Sequence, residues 1–103
     1  MSVLVEFAMF PTDVGESKSE YVSRIIKMID ESGFDYQLTP MGTIVEAETL
    51  PEILNLIEKA YKQLEPDCQR VYSTIKLDIR KGKSNRIKGK VNSVENIVGK
   101  VKK

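Results

Sequence analysis

Two stretches with a period of two constrain the fold of this chain more than any other feature. Every second residue from Val3 to Met9 is apolar, and between Arg70 and Arg80 the same period places Val71, Ser73, Ile75, Leu77 and Ile79 on one side. A period of two places successive side chains on opposite faces of a β-strand. Both stretches are therefore predicted to be strands, and the second is the longest of the chain.

Two helices are predicted between these strands. Ser17-Lys18-Ser19-Glu20 fits a capping box, and Thr49-Leu50-Pro51-Glu52 fits a second one. Gly33 is a suitable stop for the first helix, and Glu65-Pro66-Asp67 for the second. Apolar residues follow each start at helical spacing: Val22, Ile25, Ile26 and Ile29, then Ile53, Leu54, Ile57, Ala60, Tyr61 and Leu64.

Two short strands, residues 36–39 and 44–48, are predicted between the helices. The Pro40–Thr43 turn joins them, and Gly42 is free to adopt a positive φ there. A third capping box, Asn92-Ser93-Val94-Glu95, predicts a last short helix. The order predicts an α+β fold, a ferredoxin-like βαββαβ sandwich with an additional C-terminal helix.

The 103 residues are expected to form a single domain, with a core over 1–81, a basic loop over 82–91 and a helix over 92–103. Residues 1–79 carry a net charge of −7, and residues 80–103 carry +8. The basic segment 80–90 has no aromatic residue for base stacking. We therefore expect this tail to dock on an acidic body and not on nucleic acid.

The composition excludes several classes of chemistry. The chain has no histidine and one cysteine, Cys68, so it has no Ser-His or Cys-His pair, no thiolate metal cage and no internal disulfide. Neither a phosphate loop nor a dinucleotide glycine pattern is present. No apolar run approaches the ~20 residues of a membrane span. We expect a cytoplasmic protein with no catalytic residue, metal, cofactor or membrane partner.

The sheet face opposite the helices, called the open face below, mixes apolar and charged residues. Glu6 is expected between Glu46 and Lys76 on adjacent strands, with Leu4 and Ile44 nearby. Such a face favours self-association. Two interpretations of its charges stay open. They form either an ion-pair network or a small polar pocket that prefers a cationic or amine-rich ligand.

The ordered set of motifs resembles the thiamine-binding protein family. The resemblance rests on Leu38-Thr39-Pro40-Met41-Gly42-Thr43-Ile44-Val45-Glu46-Ala47-Glu48, a helix, then Arg70-Val71 and Ile75-Lys76-Leu77-Asp78-Ile79-Arg80. Phe10-Pro11 and Gly15-x-Ser17-x-Ser19-x-x-Val22 match it too, and it covers residues 2–98. It implies a ferredoxin-like fold, back-to-back sheet dimers, often tetramers, and binding of thiamine or its hydroxymethylpyrimidine part without catalysis.

The ligand pocket is expected at a subunit interface of a homo-oligomer, most simply a dimer of dimers. Its candidate residues are Glu6, Met41, Gly42, Thr43, Ile44, Glu46, Tyr72 and Lys76. Carboxylates can accept from the exocyclic amine of the pyrimidine, and apolar side chains can flank its ring. Two alternatives remain: an assembly module whose open face serves only oligomerisation, and an enzyme using Glu6 and Glu46 as acid and base.

Overall fold

Four strands and three helices follow one another in the predicted order. The computed structural model describes residues 1–15, 18–100 and 102, with the backbone only at Lys90. The elements are β1 (Ser2–Pro11), α1 (Lys18–Ser32), β2 (Asp35–Thr39), β3 (Gly42–Ala47), α2 (Leu50–Leu64), β4 (Val71–Arg80) and α3 (Arg86–Val98).

The strands form one antiparallel sheet in the order β2-β3-β1-β4. α1 and α2 pack on one face, mainly over β1 and β3. The buried core lies between these layers and includes Val3, Val5, Phe7, Ile25, Ile29, Val45, Ile53, Leu56, Ala60 and Leu64. The predicted ferredoxin-like fold with an additional C-terminal helix is confirmed.

The start of α2 is the one predicted from its capping box. The side chain of Thr49 accepts a hydrogen bond from the backbone N–H of Glu52 and donates one to its carboxylate. Gly33 has a φ of 83° just after α1, which suits a glycine at a helix end. The predicted N-cap of α1, Ser17, lies outside the described residues.

The apolar side of β4 is less buried than that of β1. Ile75 and Leu77 lie on the helix side of the sheet, opposite Phe7 and Val5 of β1. They are nevertheless 46% and 43% exposed, and Ile79 is 48% exposed. The reason is position: β4 is an edge strand, and the helices pack mainly over β1 and β3. One side of β4 is therefore apolar and uncovered by the helix layer.

The predicted start of the last helix is wrong. α3 begins at Arg86 and not at Asn92, so the basic loop is much shorter than residues 82–91. Asn85, just before the helix, has a φ of 53° and makes no side-chain cap. The cap comes from Glu46 of β3, whose carboxylate accepts from the backbone N–H groups of Arg86 and Ile87. A local capping pattern cannot show an acceptor this far away in sequence.

α3 packs against the open face over β2 and β3. Arg86, from the basic tail, pairs with Asp78 of β4 at 2.9 Å. This part of the tail thus docks on the chain's own sheet, while the expectation that it binds no nucleic acid stays a prediction. Within the described ranges, no helix combines the length and apolar character that crossing a membrane requires.

Candidate functional site

A cavity of about 340 Å³ lies between the open face and α3. Its apolar walls come from Leu4 and Ile44 of the sheet and from Ile87 and Val91 of α3. Its polar lining comes from β1, β2, β4 and the start of α3: Glu6, Gln37, Lys76, Asp78 and Arg86. An apolar cavity with a few converging polar groups is the usual form of a small-molecule site. We call it the open-face cavity.

Glu6 is the carboxylate of β1 that faces this cavity. It lies across from Ile44 on β3 and Lys76 on β4. The Lys76 Nζ is 3.8 Å from the Glu6 Oε1, and the two side chains are 81% and 45% exposed. An exposed ion pair at this distance is weak. The Glu6 carboxylate therefore remains able to accept hydrogen bonds from a ligand.

The expected neighbourhood of Glu6 needs a correction. Glu46 is not directly across from it, because the register places Glu46 opposite Leu4 on β1 and Asp35 on β2. The two glutamates share the open face but are offset by two residues along the strands. Period two predicts the face of each residue and leaves the register undetermined, so the sequence could not separate them.

Glu46 is buried, with 9% of its surface exposed, and does not line the cavity. The Ser2 Oγ donates to its Oε2 at 2.5 Å, and the backbone N–H groups of Arg86 and Ile87 donate to Oε2 and Oε1 at 3.0 and 3.3 Å. Both carboxylate oxygens are therefore occupied. The geometry gives Glu46 a positioning role: it holds the first turn of α3, which roofs the cavity.

The Arg86 side chain completes this anchor. Its Nε donates to the Ser2 Oγ at 3.0 Å and its Nη2 to the Ser2 carbonyl oxygen at 2.8 Å. Nη2 also donates to the carbonyl oxygen of Asp78, whose carboxylate pairs with Nη1. One guanidinium thus links the first strand, the last strand and the third helix.

The anchor perturbs the titration of Glu46. Burial raises the pKa of this carboxyl, but the hydrogen bonds from Ser2, Arg86 and Ile87 and the positive charge of Arg86 outweigh burial. The pKa of Glu46 therefore lies below its ordinary value of 4.5. The carboxylate form is the one that holds α3.

Three other predicted site residues, Met41, Gly42 and Thr43, lie elsewhere. They line a separate depression of about 260 Å³ beside α1 at the end of the sheet. Thr43 is buried, whereas Met41 is 85% exposed. Of the predicted set, these three residues therefore lie apart from Glu6, Ile44 and Lys76, which line the open-face cavity.

Gly42 differs from its prediction in a second way. Positive φ values occur at other glycines, and Gly42 is not among them. A Cβ at this position would lie only 2.9 Å from the backbone oxygen of Phe7. The glycine is required by the close approach of β1, and not by the turn conformation.

Tyr72, the remaining predicted residue, lies four residues from Lys76, toward the start of β4. It faces Phe10, with ring centroids 5.8 Å apart, and is 52% exposed. It does not line the open-face cavity. Its aromatic pair with Phe10 lies at the other end of the open face.

The sequence analysis missed most of the roof of the cavity. Ile87 and Val91 were assigned to a basic loop, because α3 was expected to begin later. Gln37 could have been found, since it lies directly across from Ile44 and period two places it on the same face. Among the described residues, no group of three metal-ligating side chains comes together.

Comparisons with known proteins agree with this architecture. The family model of the thiamine-binding proteins matches residues 5–95. A UPF0045 protein of Mycobacterium tuberculosis is 35% identical over 95 residues, covering 92% of this chain and 93% of the relative. A UPF0045 protein of Methanocaldococcus jannaschii is 33% identical over 92 residues, covering 89% of this chain and 91% of the relative.

Solved structures superpose well. A hypothetical protein of Methanocaldococcus jannaschii gives a TM-score of 0.81 at 31% identity, covering 93% of this chain and 98% of the other. A Thermotoga maritima protein, named as a candidate thiamine biosynthesis/salvage protein, gives 0.79 at 26% identity, covering 91% and 99%. The match to the family model spans most of the chain. The chain therefore belongs to the thiamine-binding protein family.

Proposed function

We propose that the protein binds thiamine, or its hydroxymethylpyrimidine part, in the open-face cavity without transforming it. The observation that carries the proposal is the position of Glu6, whose carboxylate lies in a cavity with apolar walls. The family and the name of the Thermotoga neighbour support a thiamine-related ligand.

The lining suits the two halves of such a ligand. The exocyclic amine of the pyrimidine can donate to Glu6, and the amide of Gln37 offers both a donor and an acceptor. Ile44 below and Ile87 above can flank the flat ring. The positive charge of the thiazolium is compatible with the two carboxylates of the lining, Glu6 and Asp78.

The proposal includes a homo-oligomer, most simply a dimer of dimers, with the cavity beside a subunit interface. Lys76 and Asp78 of the lining belong to the edge strand β4, so this side of the cavity lies next to any subunit that joins the edge. A reducing cytoplasm is the proposed location, because Cys68 is the sole cysteine of the sequence.

Calorimetry with thiamine, thiamine phosphates and hydroxymethylpyrimidine tests the proposal. Glu6→Gln keeps the shape of the side chain and removes its charge. It should weaken binding of the preferred ligand about tenfold or more, equivalent to ~1.4 kcal/mol. Glu48→Gln makes the same chemical change at an exposed position that does not line the cavity and should leave the affinity unchanged. Equal affinities for both variants and the wild type would contradict the role of Glu6.

A second candidate function is assembly alone. Large exposed apolar side chains on β4 and α3 favour it, among them Leu77 and Ile97. The two functions differ in one measurable respect. An assembly module keeps its oligomeric state and gives no heat with any of the three ligand classes, whereas the binding protein gives saturable heat.

A further inference from the structure

A second cavity, of about 400 Å³, lies between α3 and the end of β4. Three residues, Leu4, Asp78 and Arg86, line both this cavity and the open-face cavity, so the two adjoin. The remaining lining of the second cavity is polar or small and consists of Arg80, Lys83, Ser84, Gly89 and Ser93. We call it the basic cavity.

The end of β4, the connection that follows it and one face of α3 form the walls of the basic cavity. β4 ends at Arg80, and five residues separate it from α3. Gly82 and Asn85 of this connection have φ values of 76° and 53°, left-handed conformations that let a chain turn sharply. Gly89 and Ser93 are four residues apart and therefore share one face of α3. The connection thus brings basic side chains next to that face.

The basic cavity carries an excess of positive charge. Its charged side chains are Asp78, Arg80, Lys83 and Arg86. Arg86 and Asp78 pair with each other at 2.9 Å, and the Arg86 side chain is only 12% exposed. Arg80 and Lys83 are exposed, and neither makes an ion pair with another residue that the structure describes. Two cations of the cavity are therefore available to an anion.

Neutral hydrogen-bond donors accompany these cations. The hydroxyl groups of Ser84 and Ser93 belong to the lining, and within the described ranges neither is engaged in a hydrogen bond. Gly89 contributes no side chain, and a Cβ built there would meet no atom within 4 Å, so the space beside it is open. Arginine, lysine and hydroxyl donors around an open space are the groups that bind a phosphate.

The two adjoining cavities suit opposite charges. The open-face cavity has apolar walls and the weakly paired carboxylate of Glu6, whereas the basic cavity has the two available cations. In a thiamine phosphate, a short hydroxyethyl chain separates the cationic thiazolium from the phosphate. Such a ligand requires neighbouring sites of opposite charge, and the two cavities provide them.

We propose that the basic cavity binds the phosphate group of a thiamine phosphate whose rings lie in the open-face cavity, with Arg80 and Lys83 as the charged contacts. The inference rests on the proposed function and deepens it, because it names the phosphorylated form as the preferred ligand. The Arg80 guanidinium can donate two parallel hydrogen bonds to phosphate oxygens, and Lys83 supplies a point charge. The Asp78 carboxylate is held by Arg86, which offsets its repulsion of the phosphate.

Calorimetry with thiamine and thiamine monophosphate measures the contribution of the basic cavity as a ratio of two affinities. The wild type should bind the monophosphate about tenfold more tightly than thiamine, as expected for a charge-assisted hydrogen bond. Arg80→Gln and Lys83→Gln should each lower this ratio to about threefold or less and keep the affinity for thiamine within about twofold of the wild type. Arg70→Gln and Lys81→Gln remove the same charges at exposed positions that do not line the basic cavity, and should preserve the ratio.

An NMR titration with inorganic phosphate tests the basic cavity in the absence of thiamine. The backbone amide signals of Ser84 and Gly89 should shift saturably in the wild type, with a weaker affinity than thiamine monophosphate shows. The same shifts should be lost in Arg80→Gln and kept in Arg70→Gln. No saturable shift in the wild type would overturn the proposal. An inorganic phosphate affinity equal to that of the monophosphate would also overturn it, in favour of a site for the free anion.

The calorimetry separates failure of this inference from failure of the proposed function. Saturable heat with thiamine and no gain in affinity from its phosphate would overturn the inference and leave the proposed function intact. An unchanged ratio in both Arg80→Gln and Lys83→Gln would do the same. No heat with either thiamine or its monophosphate would contradict the proposed function and, with it, the shared site.

Discussion

At the scale of single residues, Glu46 shows how one carboxylate can fix a helix that begins 40 residues later in the chain. Its position on the open face suggested a ligand contact. Among the residues that the structure describes, its carboxylate instead accepts hydrogen bonds from Ser2 and from the first two residues of α3. The residue acts on the cavity indirectly, through the helix that covers it.

Glu46→Gln should therefore destabilise the protein rather than relieve repulsion. The amide removes the charge that favours the two backbone N–H donors of α3 and presents its own N–H₂ to one of them. We expect the free energy of unfolding, measured by urea denaturation, to fall by about 1–3 kcal/mol. Asp35 is exposed and lies on β2, directly across from Glu46. The control variant Asp35→Asn should change the free energy of unfolding by less than about 0.5 kcal/mol. An unchanged free energy of unfolding in Glu46→Gln would contradict the anchoring role of Glu46.

Measuring the unfolding free energies of wild type and Glu46→Gln at several pH values tests the direction in which the Glu46 contribution changes with pH. Because the pKa of Glu46 is lowered in the folded protein, its contribution is present above its ordinary value of 4.5 and is lost as the pH falls through the lower folded value. The stability difference between wild type and Glu46→Gln should therefore be full at pH 7 and shrink below pH 4.5.

At the scale of elements, the strands, α1 and α2 were predictable because their signals are local. The alternation in β1 and β4 and the capping box of α2 lie inside the segments they specify. The start of α3 was not predictable, because its cap is supplied by β3. The exposure of Ile75 and Leu77 was not predictable for a related reason: alternation gives the side of the sheet on which a residue lies, and helix placement decides whether that side is covered.

α3 has two parts with different expected roles. Its first half supplies Ile87 and Val91 to the cavity. Its second half exposes Val94, Ile97 and Val98 at 44%, 84% and 66%, an apolar stripe that requires a surface to cover it. We therefore expect this half of α3 to contribute to assembly.

A chain ending at Ser93 separates the two roles. It keeps the roof of the cavity and removes the apolar stripe, so thiamine affinity should stay within about twofold of the wild type while the oligomer loses mass. Sedimentation and calorimetry on the same sample measure both. Ile97→Ser with Val98→Ser, which keeps the chain length, should reproduce the loss of mass. An unchanged mass in both proteins would show that the stripe is dispensable for assembly.

At the scale of the whole molecule, the site depends on elements far apart in sequence. Glu6 of β1, Ile44 of β3 and Lys76 of β4 were all predicted, and all three line one cavity. Met41, Gly42 and Thr43 were grouped with them because they adjoin Ile44 in sequence, yet they line a different depression. Residues that are neighbours in sequence at the end of a strand can therefore line different cavities.

The arrangement brings part of the uneven charge of the chain together. The acidic part supplies Glu6, Asp78 and Glu46, and the basic tail supplies Arg86. Arg86 and Glu46 fix α3, whereas among the described residues the Glu6 carboxylate has the long contact to Lys76 and no shorter ion pair. Because of this difference, we propose the open-face cavity, with Glu6 in it, as the ligand site.

Methyl-resolved NMR during a thiamine titration tests that claim most directly. Saturable shift changes should appear at the methyl groups of Ile44, Ile87 and Val91, and the core residues Ile29 and Ile53 should serve as internal controls with far smaller changes. Changes confined to Met41 and its neighbours would move the site to the depression beside α1. The account predicts shifts at the roof and floor of the open-face cavity, and their absence at saturating thiamine would contradict it.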